Sequence, residues 1–197
     1  MNKNDNIIHA TTVLGIIHNG MVCLGADGQA TLNNTIAKGN VKKIRRLNNG
    51  TVLAGFAGGT ADAFTLMERF EQKLDQHRGQ LKRAAIELAK DWRTDRYLRR
   101  LEAMLICADQ YELLIISGTG DVLEPESGIA SIGSGSLYAQ SAAIALKRHA
   151  PHMTAEEMVR ESLTIAADTC IYTNHNFSID FLKQKQASSQ KDNPEKE

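Results

Sequence analysis

The chain has no excess charge, no long apolar run, no nucleotide-binding loop and few cysteines, and each absence removes a class of function. Lys plus Arg and Asp plus Glu both number 23, so the formal charge is zero and the whole molecule offers no field to draw nucleic acid or an anionic membrane. No apolar run approaches the roughly 20 residues that a membrane span needs. The leader Met1-Asn2-Lys3-Asn4-Asp5-Asn6-Ile7-Ile8 lacks the apolar centre of a signal peptide, which argues against export and for a cytoplasmic protein. Cys23, Cys107 and Cys170 are odd in number, widely spaced and set among apolar residues, so they are read as packed, reduced thiols and not as a disulfide frame or a zinc site. There is no Gly-x-x-x-x-Gly-Lys-Ser/Thr and no Gly-x-Gly-x-x-Gly, so nothing supports nucleotide binding by this chain, and any ATP dependence must come from a partner. There is neither an internal repeat nor an evident linker, and 197 residues suit one domain with a sizeable core.

What is present reads as blocks of strands alternating with pairs of helices. Thr12 to Ile17 is apolar apart from Gly15; Asn19-Gly20 is a hairpin turn and Met21-Val22-Cys23-Leu24 the returning strand. Val41 to Leu47 alternates apolar with basic residues, then turns at Asn48-Asn49-Gly50 into Thr51-Val52-Leu53-Ala54, extending one antiparallel sheet. The period then changes: Phe64, Met67, Phe70 and Leu74 fall at helical spacing, as do Leu81, Ala84, Ala85, Leu88, Ala89 and Trp92 beyond Gly79. Ala103 to Ala108, Leu113 to Ile116 and Val122-Leu123 resume the strands. Ser136 to His149 forms a third helix, and the capping box Thr154-Ala155-Glu156-Glu157 opens a fourth, with Val159, Leu163, Ala166, Ala167 and Cys170 on one face. Two antiparallel sheets, each covered by a helix pair, give an α+β fold in four αββα layers. The tail from Lys183 is polar, without apolar period, and is expected to be disordered.

Chemistry centres on Thr11, where the polar leader meets the first strand. Cleavage after Ala10 would place a free α-amine beside the Thr11 hydroxyl, putting base and nucleophile on one residue. An amine with an ordinary pKa of about 8 is partly neutral at pH 7, as a general base should be. The plain alternative is that Thr11 and Thr12 are β-branched residues opening a strand. Lys43, if it points inward, needs a carboxylate, and Asp27 in Ala26-Asp27-Gly28 is the available partner. On the expected strand Val41, Lys43 and Arg45 share one face and Lys42, Ile44 and Arg46 the other, so a solvated basic edge is the competing reading. Gly55-Phe56-Ala57-Gly58-Gly59-Thr60 joins a strand to a helix, and its backbone amides suit an anion or oxyanion. Gly133-Ser134-Gly135-Ser136 is on spacing alone a turn before a helix. Trp92 to Arg100 mixes aromatics with arginines, yet Asp95 and the balanced charge favour a helix end with a basic side over a nucleic-acid surface.

Several ordered stretches then resemble one family: Ala10-Thr11-Thr12-Val13, Gly25-Ala26-Asp27-Gly28-Gln29-Ala30-Thr31-Leu32, Lys38-Gly39-Asn40-Val41-Lys42-Lys43-Ile44-Arg45-Arg46, Gly55 to Phe64, Asp91 to Arg96 and Cys170-Ile171-Tyr172-Thr173-Asn174-His175. They are similar to the HslV family of bacterial, proteasome-like protease subunits, from about Thr11 to about Leu182. The resemblance implies an N-terminal-nucleophile hydrolase fold like that of proteasome β-subunits, over residues 11–182, after removal of a leader at residues 1–10. It implies a threonine-type endopeptidase with Thr11 as nucleophile, Lys43 and Asp27 as the charged pair that tunes it, Ser134 near its amine and Gly58 at the oxyanion. It implies a sodium ion held by oxygens of Ala167, Cys170 and Thr173. It also implies a homo-dodecamer of two stacked hexameric rings, capped and allosterically activated by hexamers of the ATPase HslU, which delivers unfolded protein substrates. Two departures stand out: Ser136-Leu137 where the family commonly continues with glycine, and Ala167 where it commonly has glycine. Two competing readings remain at this point. One is an N-terminal-nucleophile amidohydrolase acting on small amides without an ATPase, the other a non-catalytic ring subunit that keeps its leader.

Overall fold

A computed structural model describes residues 11–184 apart from 33, 99, 100 and 102. The leader at 1–10 and the tail at 185–197 lie outside the described residues. Among the described residues, three strand groups and four helices follow from the burial pattern of the sequence. The first sheet joins β1 (Thr12–His18), β2 (Met21–Ala26), β10 (Ile129–Gly133) and β11 (Ser178–Lys183) in the order β10-β1-β2-β11. The second joins β5 (Ile44–Leu47), β6 (Val52–Gly58), β7 (Ala103–Ala108), β8 (Leu113–Ser117) and β9 (Val122–Leu123) in chain order. A small ribbon of β3 (Ala30–Leu32) and β4 (Thr35–Lys38) stands apart from both. The helices are α1 (Thr60–Gln76), α2 (Leu81–Thr94), α3 (Ser136–His149) and α4 (Ala155–Thr169).

Strand alternation sorts the apolar residues into three cores, which is what stacks four layers. On β1, Leu14 and Ile16 face α3 and α4, while Val13 faces the other sheet. On β6, Val52, Ala54 and Phe56 pack against α1 and α2, whereas Leu53 and Ala57 fill the space between the sheets with Ile106 and Ala108. Strands buried on both faces read as continuous apolar runs, which explains why β1 and β7 lack a polar side in the sequence. Each fully buried Leu or Phe in these cores is worth about 1.5–3 kcal/mol, and Phe70, Leu66, Leu88 and Trp92 beneath the second sheet are all buried. Trp92 is therefore a core residue, and the basic side of the α2 end falls to the exposed Arg93 and Arg96. The three cysteines are free and buried, as expected of packed thiols.

The two hairpins do not extend one sheet, contrary to the sequence expectation. The hairpin β1–β2 belongs to the first sheet and the hairpin β5–β6 to the second, and they face each other across the middle core. Both turns are as read: Asn19 and Gly20 have φ of 47° and 72°, and Asn48, Asn49 and Gly50 have 49°, 54° and 84°. The strand read as Val41–Leu47 is shorter, beginning at Ile44, so Lys43 lies in the segment that leads into it. Lys43 is buried and Arg45 exposed, so the two do not share a face. β11 runs through Lys183, carrying ordered structure one residue past the expected domain end.

Candidate active site

The strand ends that converge at one edge of the sandwich carry the residues singled out above. Asp27 follows directly after β2, and its carboxylate is fully buried. It accepts four hydrogen bonds: Oδ1 from the Thr12 N–H and from Lys43 Nζ, both at 2.7 Å, and Oδ2 from the Gln29 N–H at 2.9 Å and the Asn174 N–H at 3.3 Å. A buried carboxylate persists as an anion only when so paired. Lys43 is 2% exposed, which decides between the two sequence readings: it is an internal ion-pair partner and not part of a solvated edge. Arg45, by contrast, points outward and stacks on Phe64 at 4.3 Å. Burial pushes the Lys43 ammonium below the ordinary lysine value, and the Asp27 carboxylate opposes that shift.

Thr11 immediately precedes β1 and is buried. Its carbonyl accepts the Ser134 N–H at 2.8 Å, and the Thr12 carbonyl accepts the Asp27 N–H at 3.1 Å, so the backbone around Thr11 is pinned from both neighbours of β1. The Ser134 side chain is exposed; its backbone makes the contact. Gly133 has φ of +93°, and a Cβ there would overlap the Thr11 carbonyl and stand 3.3 Å from the methyl of Ala57. That contact brings the end of β6 to the start of β1. Gly58 follows Ala57 as the last residue of β6, with φ of +121°, one residue before Gly59 at the N-cap of α1. The N-cap is itself a glycine and so has no side chain to bond the first amides of that helix, whose dipole favours an anion at this end.

Residues that spacing did not mark also meet here. Thr12, read as a strand opener, has a fully buried hydroxyl 2.8 Å from the Thr173 hydroxyl, and it accepts the Gly135 N–H at 3.1 Å. A buried hydroxyl needs such partners, and a threonine doubled at the seam is the signal that could have revealed them. Gln29 donates to the Ile171 carbonyl at 3.0 Å, and Asn174 contacts the Asp27 loop across 146 residues of sequence, a separation that no local pattern exposes.

Ala167, Cys170 and Thr173 surround the end of α4. The Cys170 N–H takes the Ala166 carbonyl at 2.8 Å, after which the Ala167 carbonyl is among the last of the helix without an intrahelical partner. The Cys170 carbonyl accepts the Thr173 N–H at 3.0 Å and keeps a second lone pair. Neutral carbonyl oxygens around one turn suit a hard cation. Ala167 sits inside α4 and is not among the residues with positive φ, so its Cβ is accommodated. Among the described residues no cluster of three or more His, Cys, Asp and Glu side chains could hold a metal ion, and no helix is long and apolar enough to cross a membrane.

Comparison with known proteins matches residues 7–182 to the proteasome subunit family. The chain is 69% identical over 173 residues to the ATP-dependent protease subunit HslV of Amoebophilus asiaticus, covering 88% of this chain and 97% of that one. It is 70% identical over 173 residues to the protein of the same name from Cytophaga hutchinsonii, covering 88% and 96%. The crystal structure of eukaryotic HslV from Trypanosoma brucei superposes with a TM-score of 0.84 at 44% identity, covering 88% of this chain and 99% of that one. The four-layer sandwich and these likenesses agree, and the chain belongs to the proteasome subunit family, within it to the HslV protease subunits.

Proposed function

We propose that this chain is the peptidase subunit of a two-component, ATP-dependent protease, and that it cleaves peptide bonds with Thr11 as an N-terminal nucleophile once residues 1–10 are removed. The observation that carries the reading is the buried Lys43–Asp27 pair at 2.7 Å, whose carboxylate also grips the Thr12 amide next to Thr11. In this mechanism the free Thr11 amine accepts the hydroxyl proton and the hydroxyl oxygen attacks the substrate carbonyl. The nearby Lys43 ammonium favours the alkoxide and, by like-charge repulsion, keeps the amine neutral enough to act as base. Amides at Gly58 receive the oxyanion and the Ser134 loop braces the nucleophile from the other side. The amine returns its proton to the leaving nitrogen, and then activates the water that releases the acyl group.

A sodium ion held by the carbonyls of Ala167, Cys170 and Thr173 would supply charge that stiffens the turn after α4; the chain's own contacts from that turn to Thr12 and Gln29 transmit its position. The assembly that fits is a dodecamer of two stacked hexamers, capped in the cytoplasm by HslU hexamers that unfold substrates. The lack of a nucleotide loop in this chain supports that division of labour.

The test is the intact mass of the assembled protein together with the Thr11→Ala variant. Loss of residues 1–10 and an inactive variant, with the ATPase present, are expected. A retained leader in an active particle, or full activity without the Thr11 hydroxyl, would sink the mechanism.

A further inference from the structure

The Lys43–Asp27 pair joins two loops that no strand ladder connects. Asp27 directly follows a strand of the first sheet, whereas Lys43 leads into the edge strand of the second. Something other than sheet pairing must fix their separation. Three segments meet beside the pair: the loop after β2, the loop between β4 and β5, and the turn after α4.

We infer that Asn174 is a positioning residue for catalysis, the clasp that sets the Asp27 and Lys43 loops in register beneath Thr11; the inference rests on the function proposed above. One side chain reaches both loops. Asn174 Oδ1 accepts the Gly28 N–H at 3.1 Å, one residue from Asp27, while its Nδ2 donates to the Gly39 carbonyl at 2.9 Å on the segment leading to Lys43. Its own N–H donates to Asp27 Oδ2 at 3.3 Å, and its Oδ1 also accepts the Asn176 N–H at 3.1 Å, which fixes the amide's orientation. Three of these four contacts use the side-chain amide, whose acceptor and donor at this length only an Asn offers together; the fourth comes from the backbone N–H. The loops it joins are in direct contact: the Gly28 carbonyl accepts the Val41 N–H at 2.9 Å, and a Cβ on Gly28 would stand 2.6 Å from the Gly39 carbonyl oxygen and 3.0 Å from Asn40 Cα. Glycine at 28 is thus required by the closeness of the approach, and Asn174 is the group that closes it.

Asn176 provides the internal control. Its Nδ2 donates to the same Gly39 carbonyl at 2.8 Å, yet among the described residues its side chain makes no hydrogen bond to Gly28 or Asp27. A side chain that merely staples a surface loop would matter equally at 174 and 176. A residue that sets the ion pair would matter at 174 alone.

The experiment measures hydrolysis of a short fluorogenic peptide, and the rate at which a threonine-directed peptide electrophile labels Thr11, in the assembled and processed protein with its ATPase partner. Asn174→Ala is expected to lower kcat and the labelling rate by about tenfold or more with KM within about twofold, since small displacements of catalytic groups carry such costs. Asn176→Ala is expected to keep kcat, KM and labelling rate within about twofold of the parent. Equal losses in the two variants, or an unchanged labelling rate in Asn174→Ala, overturn the inference. Should Asn174→Ala fail to assemble, Asn174→Asp preserves the size and the acceptor toward Gly28 while removing the donor toward Gly39. Full kcat and labelling in that variant overturn the inference as well. Thr11→Ala in the same assay separates the two levels: an active Thr11→Ala refutes the underlying function, whereas an inactive one beside a normal Asn174→Ala refutes only the role of Asn174.

Discussion

Lys43 shows how much one residue's surroundings decide. Burial disfavours its charged form, so the proton leaves at a lower pH than from an exposed lysine, whose ordinary value is 10.5. The Asp27 carboxylate favours the charged form, and removing it lowers the pKa further. The alkaline limb of kcat against pH is therefore expected below the range of exposed lysines, and Asp27→Asn is expected to move it further toward acid. Movement toward base would contradict the assignment. The linkage to stability has the matching sign: the unfolded chain binds this proton more tightly, so the contribution of Lys43 to stability rises as pH climbs from the folded pKa to the unfolded one. Gly135 makes a second prediction at this scale. Its Cβ position would overlap the Thr12 hydroxyl and lie 2.6 Å from the Thr173 hydroxyl. Gly135→Ala is expected to cut peptide hydrolysis by about tenfold or more, because it displaces the residue next to the nucleophile. Sequence spacing named Thr11, Asp27 and Lys43 but left Lys43 undecided, since Lys42, Lys43, Arg45 and Arg46 form one basic run and nothing local says which side chain turns inward. Asn174 could not be found at all by such reasoning, because its partners lie in loops more than a hundred residues away.

Among elements, α4 is the most legible and the most testable. The capping box read from Thr154 and Glu157 is present, with the Thr154 hydroxyl accepting the Glu157 N–H at 3.2 Å and the Glu157 carboxylate accepting the Thr154 N–H at 2.7 Å. Thr154→Ala is expected to cost about 1 kcal/mol in denaturant unfolding. α4 also lies tightly on β2, where a Cβ on Gly25 would overlap a Val159 methyl and stand 2.8 Å from a Leu163 methyl. Gly25→Ala is expected to destabilise by about 1–3 kcal/mol, read as a lowered Tm, since it overpacks a closed interface. The four helices were legible because a 3.6-residue period repeats over many turns. β10 and β11 were not: β11 is only half-buried along its length and pairs with β2 across some 150 residues of chain, so neither alternation nor a turn announces it. β3 and β4 span three and four residues, too few for a period to show.

At the scale of the molecule, the αββα order was readable because strand blocks and helix pairs alternate, but the assignment of each hairpin to a sheet was not. That assignment depends on which faces meet across the middle core, and a hairpin's own sequence carries no mark of it. The cation proposed at the turn after α4 gives a whole-molecule prediction. Exchanging sodium for tetramethylammonium at equal ionic strength is expected to lower both Tm and peptide hydrolysis, as that ion is too large and too weakly coordinating for three carbonyls. Identical behaviour in the two salts would argue against a cation there.

The site straddles the two sheets, and this has a mechanical meaning. Thr11 and Asp27 ride on the first sheet, Lys43 and Gly58 on the second, while Arg46 on β5 grips Asp180 on β11 at the far edge. The middle core between the sheets is apolar, so these ion pairs are the directional contacts named here that join one sheet to the other. The Lys43–Asp27 contact is therefore a seam between two separately laddered bodies: a slide of one sheet over the other would change that 2.7 Å separation while leaving every strand ladder intact.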